Sequence, residues 1–376
     1  MIKRELAQTI LKQQKPGFIT IIYGPRRVGK TVLVGELEKE LRIAVEQTLK
    51  FDADTKEARD ALSTTSEMQL SRLMTGKKLI IIDEAQRIAN IGLSLKILID
   101  RFPEKIFIVT GSSSLDLAAG LQEPLTGRSK KYKLYPLSTR ELTGSLEAYK
   151  KSAILEDQLL FGGYPYLTQL TTQEEKKQYL TSIIDDYLFR DVFALENISS
   201  RENFRKLATL LAFQIGSEVS LNELSSMLGI DVKTVGRYLS LLQQSFVIFE
   251  LSAFAKNLRN EVTKSKKYYF WDTGIRNAII NQFLPLDSRT DVGKLWENFL
   301  AIERLKRDEY LALRKNYYFW RTYQGREIDW IEVDEKGIAA FEFKYKGKKV
   351  STPAAFLQTY KTFVSLVSSD NYFDFI

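Results

Sequence analysis

Residues 20–31 read TIIYGPRRVGKT, which sets two glycines, two arginines and a lysine directly behind an apolar run. The run, Phe18 to Tyr23, is β-branched and aromatic, the composition of a buried strand. The stretch that follows, VLVGELEKELR, has helical spacing at Val32, Leu33, Leu37 and Leu41. The quoted segment is therefore a strand-to-helix turn, with Gly24, Gly29, Lys30 and Thr31 at the spacing G-x-x-x-x-G-K-[ST]. Such a turn aims several backbone N–H groups and the positive end of a helix dipole at one point, which suits phosphate. Gly24, Pro25, Arg26, Arg27, Val28, Gly29, Lys30, Thr31 and Val32 are expected to cradle ATP, Lys30 reaching the β- and γ-phosphates and Thr31 holding Mg²⁺. Arg26 and Arg27 lie where backbone does the cradling and read as solvated or nucleotide-edge residues.

A phosphate loop of this kind needs a second strand that ends in carboxylates, and residues 78–86, KLIIIDEAQ, supply it. Asp83 is expected to orient Mg²⁺ through water, and Glu84 to polarise the water that attacks the γ-phosphate. An adjacent acid fits hydrolysis better than transfer to a small acceptor, which disfavours a small-molecule kinase. A third strand, KIFIVTGSSS at 105–114, runs into small polar residues, of which Thr110 or Ser112 could sense the γ-phosphate. Arg128 is a candidate arginine finger, or else belongs with Lys130, Lys131 and Lys133 to a solvated basic edge. Ser138 and Glu141 form a capping box that opens the next helix.

Composition narrows the chemistry. A chain of 376 residues is expected to hold two to four domains. It contains no histidine and no cysteine, which excludes Ser-His-Asp and Cys-His catalysis, zinc fingers, iron–sulfur clusters and disulfides. Any metal site must be built from oxygen ligands and so favours Mg²⁺ or Mn²⁺. The formal net charge of +8 makes an anionic partner such as DNA plausible. No apolar stretch approaches the roughly 20 residues of a membrane span. The start MIKRELAQTILKQQK has an amphipathic helix pattern without a signal-peptide core, so a cytoplasmic protein is expected.

Taken together, GPRRVGKT, LIIIDEAQ, VTGSSSL, the pair Gly127-Arg128, PLSTREL, GGYP at 162–165 and DDYLFRDV at 184–192 resemble the AAA-type ATPases of archaea and bacteria that carry a DUF4143 region. The resemblance continues through YYFWDTGIRNAI and covers essentially the whole chain. It implies an ATPase core, a helical lid, a winged helix and a C-terminal region resembling PD-(D/E)xK nucleases. Gly163, Tyr164, Arg190 and Asp191 match the family without an assigned duty.

The rest of the chain fits that layout on its own pattern. Residues 150–215 are helical in spacing. SLNELSSMLGIDVKTVGRYLSLLQQSFVIFEL then reads helix, turn, helix, strand, with Ser220 and Glu223 as a capping box, Leu221, Leu224 and Leu228 inward, Gly229 at the turn and Asp231 as a cap. Val235, Leu239 and Leu242 would bury the second helix and leave Lys233, Thr234 and Arg237 near its exposed start, where a recognition helix meets the major groove, unless the element only packs between domains. Further on, KLWENFLAIERLKR is a buried helix with Glu297 as its polar intruder. REIDWIEVDEKGIAAFEFKYKGK reads strand, turn, strand, with Asp329 on the face of Ile331 and Val333, an expensive place for a carboxylate unless it is paired or metal-bound. Glu342 and Lys344 project from one face of the next strand, roughly 6.6–6.8 Å apart. Asp followed by Glu-x-Lys is the arrangement of a PD-(D/E)xK site, though alternating charges also line ordinary sheets. In such a site Asp329 and Glu342 would hold Mg²⁺ or Mn²⁺, Glu297 would complete the shell through water, and Lys344 would stabilise the pentavalent phosphate or position the nucleophile.

The expected fold is therefore α/β: a P-loop NTPase core at 1–149, a helical lid at 150–215, a winged-helix domain at 216–282 and a C-terminal α/β restriction-endonuclease-like domain at 283–376, with the DUF4143 region at roughly 180–345. The expected function is an AAA-type ATPase that binds DNA and carries a metal-dependent nuclease-like domain. The alternative is a nucleotide-dependent switch or scaffold that binds partner proteins through a catalytically inactive version of that domain. A finger role for Arg128 would require a neighbouring subunit, hence a homo-oligomer.

Overall fold

Ile19–Tyr23 forms β1, and its apolar residues are buried on both faces because the strand lies inside a parallel sheet. The structure, a computed structural model, describes residues 2–111, 125–144, 148–185, 200–255, 266–322 and 324–376, without the side chains of 148–152. It divides into two compact units, Met1–Pro136 and Leu137–Ile376.

In the first unit β1 is joined by β2 (Thr48–Asp52), β3 (Leu79–Asp83), β4 (Ile106–Gly111) and β5 (Ser129–Lys133) in the order β2-β3-β4-β1-β5, each neighbouring pair parallel. Alternate residues Ile19 and Ile21, Ile80 and Ile82, and Phe107 and Val109 share one core cluster with Leu70, Leu95 and Leu98 of the helices Glu67–Leu73 and Ile91–Arg101. This is the period-two alternation of strands packed under helices. The register sets Tyr23 beside Gly111 and Asp52 beside Asp83, so the carboxyl ends of the strands open at one edge. In open α/β sheets that edge is where ligands bind.

The second unit begins with helices: Thr139–Thr143, Ala148–Phe161, Gln173–Ile183 and Arg201–Phe213. The expected box at Ser138 is formed in both directions with Glu141. Leu221–Leu228 and Val232–Gln244 make the helix–turn–helix, with Gly229 in the left-handed region at φ 64° and Asp231 accepting from Thr234 N at 2.9 Å. Leu224, Leu228, Val235, Leu239 and Leu242 are buried as the spacing predicts, but Leu221 is 37% exposed. It is the first helical residue, and a helical side chain covers the turn preceding its own Cα, which is missing there. Ser220 caps Glu223 N at 3.3 Å in the forward direction.

The strands of the second unit form one seven-stranded sheet: β6 (Glu218–Val219), β7 (Ile248–Ala253), β8 (Lys266–Phe270), β9 (Asn316–Arg321), β10 (Glu327–Asp334), β11 (Gly337–Phe343) and β12 (Val364–Val367), in the order β12-β11-β10-β9-β7-β8-β6. The sheet runs across the expected division at 282/283, because β7 pairs in parallel with β9 through Ser252↔Tyr318 and Ala253↔Phe319. An open β7 edge is thereby covered. Val292–Tyr310 packs on this sheet, and its interior holds Asn298, Glu303, Arg304, Lys306 and Asp308 besides Glu297. These charges are paired: Arg304 spans both oxygens of Glu332 at 2.5 and 2.9 Å, Lys315 reaches Glu332 at 2.6 Å and Asp308 at 3.1 Å, and Lys306 bonds Glu303 at 2.8 Å. Among the described residues no helix is long and apolar enough to cross a membrane.

Candidate functional site

The glycine loop ends β1 and is shaped by close backbone approach. A Cβ on Gly24 would stand 2.1 Å from the Leu134 carbonyl oxygen, so no side chain fits there. Gly29, at φ 91°, turns the chain into the helix Lys30–Leu41. Lys30 is buried, and its ammonium donates to the carbonyls of Gly24 (3.1 Å) and Pro25 (2.9 Å), so the cation sits inside the cradle. Pro25 and Val28 are buried, Arg26 is half-buried, and Arg27, Thr31 and Val32 are exposed. Arg4 was not singled out by any motif, yet its buried guanidinium donates to Val28 O and to Tyr135 O, both at 2.7 Å, and so braces the loop from below.

Across the sheet edge the carboxylates converge on this loop. Thr31 Oγ1 donates to Asp83 Oδ2 at 2.8 Å. Thr110 donates to Asp83 Oδ1, which also accepts from Glu84 N at 3.1 Å. Thr110 is fully buried, so it orients Asp83 and is not placed as a phosphate sensor. Ser112, the other sensor candidate, lies outside the described residues, as do Arg190 and Asp191. Glu84 takes a left-handed conformation at φ 50°, and its carboxylate accepts from Gln86 Nε2. A threonine hydroxyl and a carboxylate side by side are hard oxygen donors that fit Mg²⁺.

Arg128 precedes β5 at the opposite end of the sheet: Ile19 pairs with Ser129, whereas the loop follows Tyr23, about 13–17 Å further along the strands. Its guanidinium pairs with Asp100 at 2.5 Å. The structure therefore does not bring Arg128 to the loop of its own chain. Lys131 beside it is exposed, in keeping with a basic edge.

A second polar centre lies in the other unit. Carboxylate oxygens of Glu297, Glu327 and Asp329 come within 4.8 Å of one another. The grouping differs from the expected Asp329 and Glu342: Glu327 joins it, and Glu342 instead pairs with Lys344 at 3.8 Å. Asp329 does not lie with Ile331 and Val333. The β9–β10 register shifts between Ile328 and Ile331, so that Ile328 and Ile331 enter one core cluster and strict alternation breaks at Asp329. Burial, then the charges of Glu297 and Glu342, push the Asp329 carboxyl well above the usual carboxylate range, although Phe343 N donates to it at 2.7 Å. Among these acids stands Lys267 of β8, wholly buried, its ammonium 3.0 Å from Glu297 Oε1 and paired also with Glu327. Lys267 and Glu327 were missed because neither belongs to a short motif.

The family-matching GGYP and DTGIRN stretches acquire a duty here. Asp272 accepts from Gly163 N (2.8 Å) and Ile275 N (3.0 Å), and its carboxylate lies against Gly162, where a Cβ would fall 2.0 Å from Oδ1. Gly163 and Gly274 press against the Leu137 and Phe161 carbonyls in the same way, and Asn277 Nδ2 donates to Leu159 O and Leu160 O at 2.9 Å. This is a structural lock. Tyr164 is buried beside it, and burial raises its phenol well above the ordinary value. Burial also raises Asp272 to about 6, against the hydrogen bonds that favour its charge. The folded unit thus holds this proton more tightly than the unfolded chain, so stability present at low pH is lost as pH rises from about 4 through about 6, on the order of 3 kcal/mol. Thermal unfolding at pH 5 and pH 7 should show about half of this loss, roughly 1–1.5 kcal/mol, in the parent and a smaller loss in Asp272→Asn; equal pH dependence in both would assign the effect elsewhere.

A family profile described as an AAA domain matches residues 17–143. One described as domain of unknown function DUF8612 matches 152–286, and DUF4143, likewise of unknown function, matches 292–370, where the resemblance had implied roughly 180–345. The uncharacterized protein Rv2008c of Mycobacterium tuberculosis is 30% identical over 358 residues, covering 94% of this chain and 75% of that protein. The uncharacterized protein MJ1544 of Methanocaldococcus jannaschii is 24% identical over 376 aligned positions, covering 92% and 82%. Among solved structures, AMPPCP-bound DnaA from Aquifex aeolicus aligns at 16% identity over 64% of this chain and 86% of that one, with a TM-score of 0.31.

Proposed function

This chain belongs to the family of proteins that join an AAA-type ATPase domain to a DUF4143 domain, and from that premise we propose that it hydrolyses ATP with Mg²⁺ and couples turnover to a DNA partner. The observation that carries the hydrolytic reading is the convergence of Lys30, Thr31, Asp83 and Glu84 at one sheet edge. Thr31 and Asp83 would hold Mg²⁺, which shields phosphate charge when bound. Lys30 binds the phosphates, and Glu84 orients and deprotonates the attacking water. Release of inorganic phosphate from ATP, measured with Mg²⁺ and with EDTA, tests it; equal release in both would end it. A finger role for Arg128 is compatible only with action on a neighbouring subunit's nucleotide.

The DNA reading rests on Lys233 and Arg237, both exposed at the start of the second helix of the helix–turn–helix. Thr234 contributes less than the spacing suggests, since its hydroxyl donates to Asp231 at 2.6 Å. Replacing Lys233 and Arg237 together by alanine should weaken duplex binding about tenfold or more and lower the slope of log affinity against log salt by up to ~2. Fluorescence anisotropy across a salt series measures both, and an unchanged slope would move the contact to the basic edge around Lys131 or to a protein partner.

The C-terminal segment has the order helix, three antiparallel strands, helix, parallel strand, which supports the nuclease-like reading together with Asp329 and Glu342 on adjacent strands and Lys344 just past the end of the second. The second reading, a scaffold without nuclease chemistry, is favoured by one observation: Lys267 already occupies the centre of the carboxylate cluster.

A further inference from the structure

We propose that the ammonium of Lys267 takes the place of a divalent cation in the Glu297–Glu327–Asp329 cluster, so that the native chain binds no metal there. The inference deepens the scaffold reading of the C-terminal segment and is independent of ATP hydrolysis. Its basis is geometric. Lys267 extends from β8 and meets Glu297 from the helix Val292–Tyr310 and Glu327 from β10. Its Nζ also lies 5.1 Å from the centre of the Phe319 ring, itself fully buried. Two carboxylates and an aromatic face thus enclose one cation. Both oxygens of Glu297 are further engaged: Oε1 accepts from Tyr269 at 2.6 Å, and Oε2 lies 3.7 Å from the Lys294 ammonium.

A metal would have to expel a buried lysine or bind beside it. Expulsion would leave the ammonium in an apolar interior, which a protein avoids strongly. Binding beside it would leave Asp329, one oxygen of which already accepts from Phe343 N, and Glu342, which faces Lys344. Burial opposes the charge on Lys267, but Glu297 and Glu327 outweigh it and hold the ammonium above its ordinary pKa. Three cations thus already face the cluster: Lys267 at its heart, Lys294 at 3.7 Å from Glu297 and Arg321 at 3.9 Å from Glu327, which leaves less negative charge to attract a divalent ion.

Nucleotide-free protein titrated with MnCl₂ tests the proposal by electron paramagnetic resonance and thermal shift, which report binding and not catalysis. Parent and Asp329→Asn should bind Mn²⁺ alike. Lys267→Met should melt about 10 °C lower and acquire roughly one Mn²⁺ per chain, with part of the melting temperature restored by the ion. One Mn²⁺ per parent chain that Asp329→Asn abolishes would overturn the proposal, and so would folded Lys267→Met that gains no site. If Lys267→Met fails to fold, the double variant Lys267→Met/Glu327→Gln, which removes both charges, should fold and melt closer to the parent; equal failure of the double variant would also overturn it. A nuclease assay on the same preparations separates the two readings: cleavage by parent protein without an Asp329-dependent Mn²⁺ would sink the scaffold reading and leave the cation assignment standing.

Discussion

Glu84→Gln protein is expected to bind ATP as tightly as the parent and to hydrolyse it at least ~100-fold more slowly, whereas Lys30→Ala protein should lose nucleotide binding itself. The split follows from what each group touches. Lys30 is buried in the loop against the Gly24 and Pro25 carbonyls, so its charge belongs to the phosphate cradle, and its removal subtracts from ground state and transition state alike. Glu84 stands one residue beyond Asp83 at the strand end, where a base acts on water and not on bound phosphate. Loss of a positioned general base costs about 10²–10⁴ in rate. Glutamine keeps the shape of the side chain and can still bond Gln86, so folding should not confound the result. Nucleotide binding by calorimetry, beside single-turnover hydrolysis, checks both halves; parent-like turnover by Glu84→Gln would remove the assigned role.

Gly274→Ala should be among the most destabilising single-methyl changes in the chain. The added Cβ would lie 1.9 Å from the Phe161 carbonyl oxygen and 2.3 Å from its carbon, backbone atoms that cannot rotate away. Gly162→Ala combines a similar collision with φ +78°, this time against the Asp272 carboxylate that also holds Gly163 N and Ile275 N. Relief in either case means separating the two glycine-bearing segments and leaving buried N–H groups unpaired, at ~1–3 kcal/mol each. A loss of about 3 kcal/mol or more, a fall in melting temperature of roughly 6–12 °C, is expected for a unit of this size. Gly236→Ala, in the helix Val232–Gln244 with open space around its Cβ, should instead stabilise by about 0.5–1 kcal/mol. Melting curves for the three variants compare them directly, and a Gly274→Ala midpoint within 1–2 °C of the parent, on the order of measurement error, would mean the lock yields easily.

The nucleotide loop is legible in the sequence because its geometry demands particular residues at fixed short spacing: a backbone that passes 2.1 Å from where a side chain would begin admits only Gly24, and Lys30 must follow within one turn. Caps at Ser138 and Asp231 are legible for the same local reason. Arg4, Lys267 and Glu327 are not, since their partners lie 24 to 131 positions away and leave no periodic trace. The face of Asp329 is misread because a bulge breaks the alternation on which the reading rests, and no residue type announces that bulge. Gly162, Gly163 and Gly274 stand out by resemblance, yet their reason appears only when 162 and 272 are brought together.

The parallel join of β7 to β9 has a consequence for anyone who dissects this protein. A chain cut between 282 and 283, where two separate modules would be anticipated, tears one sheet in half and leaves raw edges at Ser252–Ala253 and at Tyr318–Phe319. Each fragment would then offer an unpaired, largely apolar strand to its neighbours, the template from which aggregates grow. Insolubility of either half would therefore say nothing about whether that half is a natural unit of function, and the stretch from 137 onward is best kept whole.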